Sequence, residues 1–462
     1  MGLIHSGGPV WDLFTRVVSV TRPSRPGHPR QTRGVTALEP RIDDPLLDLD
    51  RWAREGAPHG WFAERRREGP VWRHPIGPNG GPAVLSVLGY EEVVALGRCP
   101  HILSSDQSNG GVTGLGPNDE FQLVFDQTLA NVAPGVDRAE VADAAKHLLT
   151  IDPPQHTTYR KIVNKGFTPR QIGLLEAQVR SLLDELLDAH PAGEPFDFTT
   201  GVSMPLPVNV IARMIGSPVE SDAELLQWSN EALASTDPEY NTGPLSQMNA
   251  IMHLVQHFSI LRAEHQADPR DDLISLLLEA EVDGESLTDA RFMLFLILLT
   301  AAGNETTRTA FSHAVVELAQ RPDEWRRLKD DPALVPSAVE EILRYSSPVM
   351  YFRRNALEPM EIGGEAVQPG DIVALWYVAA NRDPAHFADP DRFDVGRDPN
   401  HHVAFGGGGA HFCLGASLAR LEIRVLLEAL VERYDRIELV GEVERMRSNF
   451  LHGIKHLPVV LQ

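Results

Sequence analysis

Cysteine is nearly absent from this chain. Cys99 and Cys413 are the only two among 462 residues. Two cysteines cannot build a disulfide framework, so the sequence favours a reducing compartment and we expect a cytoplasmic protein. A zinc cluster is not expected at Cys413, because no further cysteine or histidine at ligand spacing follows it in "CLGASLARLE".

Positive charge and long apolar runs are also scarce. The chain carries 42 Lys and Arg against 64 Asp and Glu, a formal net charge of −22. Such an acidic balance argues against nucleic acid or an anionic membrane as the main partner. The longest apolar stretch, "FMLFLILLTAAG" at 292–303, is too short to cross a bilayer and predicts a buried helix.

Apolar residues at helical spacing are abundant. One example follows Thr168 and Pro169, a capping residue and a first-turn proline, in "TPRQIGLLEAQVRSLLDELLDAH". Strand-like segments are few: "PAVLSVLG", "MEIGGEAVQPGDIVALWYV" and "HGIKHLPVVL". We predict a mainly α fold with a small β portion.

The first 40 residues differ in composition from the rest of the chain. Residues 1–40 are rich in arginine and proline and predict a flexible N-terminal extension. No glycine- or proline-rich linker divides the remainder, so we predict that residues 41–462 form a single catalytic domain.

Cys413 stands out because of its surroundings, "FGGGGAHFCLGASLAR". A predicted helix begins just after it, and free N–H groups at a helix N-terminus stabilise a negative sulfur. The preceding glycines let the backbone approach a flat group closely. One thiolate in this setting suits the axial ligation of a haem iron. Cys99, in "LGRCPHILSS", has no such surroundings and predicts a small buried side chain.

This segment resembles the haem-ligand loop of the cytochrome P-450 monooxygenases, usually Phe-Gly-x-Gly-x-[His/Arg]-x-Cys-x-Gly. Phe405 lies eight residues before Cys413, where the family pattern has seven, so one glycine is added. The resemblance runs from about residue 45 to the end of the chain. It implies the triangular, mainly α P-450 fold and a haem b held by Cys413.

A second segment, "AAGNETTR", resembles the distal helix motif of the same family. It implies that Glu305 and Thr306 are the catalytic acid–alcohol pair that delivers protons to bound oxygen. Taken alone, Gly303 and the threonines could equally mark close packing with another helix. The threonine hydroxyls could also hydrogen-bond the carbonyl one turn back and bend the helix.

A third set of residues implies a structural network. Glu341 and Arg344 in "EEILRYSSP" resemble its first two members, and Arg392 in "FADPDRFD" resembles the third. By itself an i,i+3 ion pair is a common surface feature, so the assignment depends on its position between the distal motif and the cysteine loop.

The resemblance also implies a binding site for the two haem propionates. His156 and Arg160 are four residues apart in "IDPPQHTTYRKIVNKGFTP" and therefore share one helix face. Arg354 and His411 complete the set, and the neighbouring Arg353 stays open as an alternative to Arg354. Carboxylates buried beside haem need such partners.

The expected activity is the insertion of one oxygen atom from O2 into an unactivated C–H bond. No flavin or iron–sulfur segment is evident, so electrons are expected from a separate ferredoxin and an NAD(P)H-dependent reductase. Arg397, Arg420 and Arg424 are candidate contacts for that acidic partner. Two alternatives of the same fold are a peroxide-driven peroxygenase and a non-enzymatic haem sensor. Neither would need the acid–alcohol pair.

The expected substrate is apolar. The resemblance places seven apolar residues above the haem: Leu298, Leu299, Ala302, Val349, Met350, Phe450 and Leu451. The segments "VVALWYVAANRD" and "FLHGIKHLPV" look most like actinobacterial hydroxylases of methyl-branched lipids, sterol side chains and terpenoids. We therefore expect a branched lipid, terpenoid or steroid, with tailoring of a secondary metabolite as the alternative.

Overall fold

The described part of the chain consists mainly of α-helices. The computed structural model describes residues 45–74, 83–115, 146–233, 236–241, 243, 245–282 and 284–462. The extension predicted for residues 1–40 lies outside these ranges. The helices are α1 (Leu49–Glu55), α2 (His59–Glu68), α3 (Tyr90–Gly97), α4 (Gln155–Val163), α5 (Pro169–Leu174), α6 (Glu176–Asp188), α7 (Pro205–Met214), α8 (Asp222–Leu233), α9 (Ser246–Ala267), α10 (Leu273–Glu279), α11 (Asp289–Gln320), α12 (Pro322–Asp330), α13 (Val335–Ser346), α14 (Tyr377–Ala380) and α15 (Ala416–Arg433).

The strands are short and form small sheets. They are β1 (Val71–Arg73), β2 (Val84–Val87), β3 (Leu103–Ser104), β4 (Pro195–Asp197), β5 (Glu281–Val282), β6 (Glu285–Ser286), β7 (Tyr351–Ala356), β8 (Met360–Ile362), β9 (Glu365–Val367), β10 (Ile372–Trp376), β11 (Ile437–Leu439), β12 (Glu444–Arg445), β13 (Ile454–His456) and β14 (Pro458–Leu461). The largest sheet has the order β1-β2-β10-β7-β3, and a second has the order β11-β14-β4. The predicted mainly α class with a small β portion is confirmed.

Helix α11 is the central element of the helical part. The Thr288 hydroxyl caps its first turn by accepting from the Arg291 N–H, which satisfies one of the free donors there. The helix packs against α7, α8, α9, α13 and α15. Gly303 lies directly against Ile211 of α7, whose side chain occupies the space that a Cβ would need. The glycine therefore permits a close crossing of α11 and α7. This is the helix-packing interpretation that the sequence left open for Gly303.

One large apolar core surrounds this helix. Its buried members include Leu183, Ile211, Phe258, Phe311 and Leu426, which come from five different helices. Burying a side chain of this size contributes about 1.5–3 kcal/mol, so the position of α11 is strongly determined. No helix within the described ranges is long and apolar enough to cross a membrane.

Candidate active site

The loop 405–415 leads from the β portion into α15 and carries Cys413. It passes so close to α3 that a Cβ on Gly407 would lie 2.5 Å from the Val93 carbonyl oxygen, and one on Gly409 2.5 Å from that of Gly97. Any larger residue would push the loop away. The Cys413 N–H donates to the Phe405 carbonyl at 3.1 Å, so the loop closes across its added glycine.

Cys413 stands at the mouth of α15 in a recess of the protein. Its side chain keeps accessible surface although protein atoms surround it closely. Burial raises the pKa of the thiol, while the Gly415 N–H, Arg160 and Arg420 lower it. Burial has the larger effect, so the pKa of the thiol lies above its ordinary value, and the helix terminus and the two arginines act in the opposite direction.

Two histidines lie beside this recess. The rings of His156, on α4, and His411, in the loop, have centroids 4.2 Å apart. Both ring nitrogens of His156 and the Nε2 atom of His411 are buried and have no hydrogen-bond partner within the described ranges. Burial lowers the pKa of His156 to about 4 and that of His411 to about 2, so neither ring is charged at neutral pH.

Arg160 and Arg354 complete this group. The positive charges of both arginines lower the pKa of His411, so both lie near it. Arg160 donates to Asn164 Oδ1 at 3.1 Å, and the buried Arg354 donates to the Arg353 carbonyl at 2.8 Å. Among the described residues no carboxylate pairs with either arginine. We name these four side chains, His156, Arg160, Arg354 and His411, the basic cluster, and an anion with carboxylate groups would satisfy it.

The structure distinguishes the two neighbouring arginines of β7. Arg353 donates to Asn355 Oδ1 at 2.7 and 2.9 Å and to the Gly114 carbonyl at 3.4 Å. Arg354 is 5% exposed and points to the opposite side, toward His411 and Tyr377. Alternation along a strand explains the separation. Arg354 is therefore the one that joins the basic cluster.

The acid and the alcohol of "AAGNETTR" have different surroundings. The Thr306 hydroxyl donates to the Ala302 carbonyl at 2.8 Å, one turn back, and its side chain is half-buried. Glu305 is buried and forms an ion pair with Arg308. Burial raises the pKa of Glu305, Arg308 lowers it, and Asp237 raises it further.

The predicted pocket residues fall into two groups. Leu298, Ala302 and Thr306 follow one another at four-residue spacing on α11 and keep accessible surface, in contrast to the buried Leu299 and Ala301. Val349 pairs with Leu451 in an isolated β-bridge, and the Phe450 ring is partly buried beside them. The first group is a row on α11, and the second lies where the isolated bridge joins the chain after α13 to the chain before β13.

Three of the residues predicted to line the pocket are buried in the structure. Met350 is wholly buried in the core with Tyr351 and Trp376, because the β-bridge turns Val349 and Met350 to opposite sides. Leu299 packs into the large core around α11 and is 9% exposed. Leu451 is also largely buried, against Met446.

Comparison with known proteins agrees with this geometry. The profile of the family described as Cytochrome P450 matches residues 123–456. The chain belongs to the cytochrome P450 family. Linalool 8-monooxygenase from Pseudomonas putida is 36% identical over 404 residues, 87% of this chain and 95% of that protein. Methyl-branched lipid omega-hydroxylase from Mycobacterium tuberculosis (strain ATCC 25618 / H37Rv) is 38% identical over 433 residues, 91% and 95% of the two chains.

A solved structure supports the same assignment. A Mycobacterium marinum cytochrome P450 in complex with pseudoionone superposes with a TM-score of 0.79 at 32% identity. The superposition covers 92% of this chain and 100% of that one. The protein is thus a P450 monooxygenase, and the family implies a haem-thiolate cofactor. The residues present fit that group: one thiol at a helix mouth, and a basic cluster in which three buried ring nitrogens have no partner among the residues that the structure describes.

The buried ion network of this P450 differs from the sequence prediction at one member. Glu341 and Arg344 are fully buried and joined by two hydrogen bonds of 2.7 and 2.8 Å. The third member is Arg397, whose Nε donates to Glu341 Oε2 at 3.1 Å. The prediction of Arg392 was wrong: its side chain is 60% exposed and lies 3.9 Å from Asp394. The chain turns between these two arginines, and spacing in the sequence does not show which one turns inward.

The three arginines proposed for partner docking are all paired. Arg397 is committed to Glu341 and is only 11% exposed, so it is not a docking contact. Arg420 donates to both oxygens of Glu340 at 2.7 and 2.8 Å, and Arg424 to Glu176 at 2.7 Å. Arg420 and Arg424 keep about a third of their side chains exposed. Phe412, one residue before Cys413, is exposed on the surface.

Sequence reasoning missed three residues that shape the site. Arg308 directly follows the distal motif, and its i,i+3 distance from Glu305 was a visible signal. Arg397 in "DVGRDP" was assigned to partner docking, and its place in the ion network was missed. Tyr240 carried no signal, because it reaches Arg308 only through the folded chain, with 5.7 Å between the guanidinium carbon and the ring centroid.

Proposed function

We propose that this P450 inserts one oxygen atom from O2 into an unactivated C–H bond of a branched lipid, terpenoid or steroid. The observation that carries the proposal is that the predicted pocket residues that keep accessible surface, Leu298, Ala302, Val349 and Phe450, are all apolar. Each CH2 group buried against such residues contributes about 0.8 kcal/mol. The printed names of the relatives, a linalool monooxygenase and hydroxylases of branched lipids and steroids, support the same substrate class.

The cofactor of the proposal is haem b. Cys413 would hold the iron, and the basic cluster would hold the two propionates. When bound, the haem supplies an iron that activates dioxygen, and a thiolate ligand favours cleavage of the O–O bond. The neutral rings of His156 and His411 would act as hydrogen-bond donors, while Arg160 and Arg354 supply the opposite charge.

Glu305 and Thr306 would transfer protons on the substrate side of the haem. Thr306 keeps accessible surface on the same side of α11 as Leu298 and Ala302. Its hydroxyl donates to the Ala302 carbonyl, so the hydroxyl oxygen can still accept another hydrogen bond. Burial raises the pKa of the Glu305 carboxyl and its ion pair with Arg308 lowers it, and Glu305 would serve as the acid of the pair. Positioned acid–base groups contribute about 10²–10⁴-fold to a proton-transfer step.

Electrons would come from a separate ferredoxin and an NAD(P)H-dependent reductase. An acidic ferredoxin suits the surface around Phe412, where Arg420 and Arg424 remain partly exposed. We include in the proposal that residues 41–462 act as one catalytic domain and that the protein is cytoplasmic.

Substrate titration followed by turnover tests this function. The haem-loaded protein is titrated with branched fatty acids, terpenoid alcohols and sterols, and the low- to high-spin shift of the Soret band is recorded. The compounds that bind are then incubated with surrogate ferredoxin, reductase, NADH and isotopically labelled dioxygen. We expect a spin shift and a product that carries one labelled oxygen atom.

Three other results would contradict the proposal. Spin shifts with only small polar or macrolide-like compounds would overturn the substrate class. Product formation with peroxide but none with ferredoxin and NADH would indicate a peroxygenase. Ligand binding with no NADH consumption above background would indicate a sensor.

A further inference from the structure

A series of aromatic side chains leads from the predicted pocket toward the protein surface. Its members, in spatial order, are Phe450, Tyr351, Trp376, Phe62 and Trp61, and we name them the aromatic row. Successive ring centroids lie 5.6, 4.5, 5.2 and 5.5 Å apart. Tyr351, Trp376 and Phe62 are buried, whereas Trp61 keeps accessible surface. The row therefore joins the interior of the protein to its surface through an unbroken series of ring contacts.

The inner end of the row lies close to the proposed haem site. Tyr351 and Arg354 belong to the same strand, β7, and three residues correspond to about 10 Å along a strand. Arg354 is a member of the basic cluster, and the family resemblance places Phe450 above the haem. Tyr351 and Trp376 are opposite each other in the pairing of β7 with β10. The row thus begins where the cofactor is proposed to bind.

The indole N–H of Trp376 has a hydrogen-bonded path for its proton. The Nε1 atom donates to Ser86 Oγ at 2.8 Å, and the same oxygen lies 2.7 Å from His74 Nε2. Ser86 and His74 are both buried. A serine hydroxyl can accept one hydrogen bond while it donates another, and a neutral imidazole has one nitrogen that accepts a proton. Ser86 therefore connects the indole with a proton acceptor.

The outer end of the row is Trp61. Its ring contacts Phe62 and stacks on His74, with 6.4 Å between the centroids and 27° between the planes. Trp72 lies 6.4 Å from Trp61, but the Arg65 guanidinium is 4.4 Å from the Trp72 centroid and 5.9 Å from that of Trp61. A cation held against an indole face opposes the loss of an electron from that ring. Trp61 is therefore more easily oxidised than Trp72.

We propose that the aromatic row discharges oxidising equivalents from the active site. Trp376 is the residue oxidised inside the protein, and Trp61 is the residue reduced from solution. Indole rings are among the side chains that lose one electron most readily, and ring contacts let electrons pass between them. The discharge operates when oxygen is activated and no substrate is in place. The inference rests on the proposed haem at Cys413 and is independent of the proposed substrate class.

Electrons and protons balance in each step. The active site takes one electron from Trp376 through the Tyr351 ring. Trp376 passes its Nε1 proton to Ser86 Oγ while the Ser86 hydroxyl proton moves to His74 Nε2. Trp61 then returns one electron to Trp376, and both protons move back. A thiol in solution reduces Trp61 by one electron and releases a proton, and two oxidised thiols combine to form a disulfide.

Electron paramagnetic resonance of the holoenzyme tests the assignment of Trp376. Each variant is first shown to retain the reduced, carbon monoxide-bound spectrum, and the substrate-free protein is then mixed with hydrogen peroxide and frozen. We expect a tryptophan radical whose hyperfine pattern changes in protein grown with ring-deuterated tryptophan. Trp376→Phe should lose this signal. Trp325→Phe, the same change at a buried tryptophan of α12 outside the row, should keep it.

Ser86→Ala is a second, smaller change that tests the same route should Trp376→Phe lose haem. It keeps every ring of the row and removes the hydroxyl between Trp376 and His74. Oxidised Trp376 then loses the acceptor for its proton, so we expect a weaker radical signal and faster bleaching of the Soret band in excess peroxide. Added thiol should slow bleaching more in the wild type than in either variant. An unchanged signal in Ser86→Ala would overturn the proton path.

Mass spectrometry of the peroxide-treated protein tests the outer end of the row. Oxidised tryptophan should be found at Trp61 in the wild type and be largely lost there in Trp376→Phe, with Trp72 little oxidised in both. Equal radical signals and equal oxidation of Trp61 in Trp376→Phe and the wild type would overturn the discharge route.

These readouts separate the inference from the proposed function. None of them uses substrate, so a wrong substrate class would leave them in place. A wrong assignment of the haem ligand would already show in the carbon monoxide-bound spectrum. A failure of the discharge route would leave hydroxylation in place.

Discussion

Arg397 Nε lies 3.1 Å from Glu341 Oε2, and this contact ties the segment before the cysteine loop to α13. The same Glu341 carboxylate accepts from Arg344, from the Asp394 N–H at 2.9 Å and from Asn400 at 3.0 Å. Arg397 also donates to the backbone carbonyls of Ala388 and Arg392. A single buried carboxylate thus organises the chain from 388 to 400.

Removal of Arg397 should destabilise the protein strongly. Loss of one partner leaves Glu341 buried without full compensation, which costs about 3–5 kcal/mol. Arg397→Ala should therefore lower the free energy of unfolding by about that amount in urea titrations. Arg392→Ala is the matched control. It should change the free energy of unfolding by less than about 1 kcal/mol, because exposed ion pairs contribute no more than that. A larger effect at Arg392 than at Arg397 would contradict the assignment.

The thiolate ligand can be identified by absorbance. Cys413→Ser should abolish the thiolate-type spectrum of the reduced, carbon monoxide-bound protein. Cys99→Ser should leave that spectrum intact, because the Cys99 thiol donates to the Ala95 carbonyl at 3.3 Å on α3. A Cys413→Ser protein that kept the spectrum would contradict the proposed iron ligand.

Proton delivery predicts the behaviour of Thr306→Ala. The variant should bind haem and substrate, yet lose product per NADH consumed and release peroxide or water. Thr300→Ala is the matched control: Thr300 makes the same hydrogen bond, to the Leu296 carbonyl at 2.9 Å, but is buried in the core. Thr306→Ser should recover coupling. Tight coupling in Thr306→Ala would assign Thr306 to packing alone.

The basic cluster predicts which arginine retains haem. Arg354→Gln should release haem to an acceptor protein faster, because a buried propionate loses its charged partner. Arg353→Gln should release haem at nearly the wild-type rate, since Arg353 bonds Asn355 and Gly114 instead. The first-order transfer rate measures both. Faster loss from Arg353→Gln than from Arg354→Gln would reverse the assignment.

Buried histidines predict a loss of stability in mild acid. Burial lowers the pKa of His452 to about 4 and holds that of His313 well below its usual range. In the unfolded chain both take up protons near pH 6.5. The unfolded state then binds more protons, so stability is full above about pH 6.5 and falls as pH approaches 4.

His313→Gln isolates part of this effect. His313 Nε2 lies 2.9 Å from the His452 carbonyl, and a glutamine amide retains a donor without the titration. The urea midpoint of this variant should fall less between pH 7 and pH 5 than that of the wild type. The same change at the exposed His101 is the control. Parallel declines in His313→Gln and wild type would show that His313 does not contribute.

The sequence by itself determined the fold class and the main chemical positions. Periodic apolar residues predicted the helices, including the buried segment that became α11. The motifs around Cys413 and Glu305 are contiguous in the chain, so their resemblance to the motifs of the family could be recognised from the sequence. The helix geometry that puts Leu298, Ala302 and Thr306 on one face is likewise local.

Only the tertiary structure decided which charged side chains meet. Arg397 rather than Arg392 reaches Glu341, and Arg354 rather than Arg353 reaches His411. Met350 turned inward and Arg308 paired with Glu305 beside Tyr240. The physical reason is that apolar periodicity records how each segment faces the core, whereas the partner of a charged group depends on where distant segments pass. That path is set by packing of the whole chain.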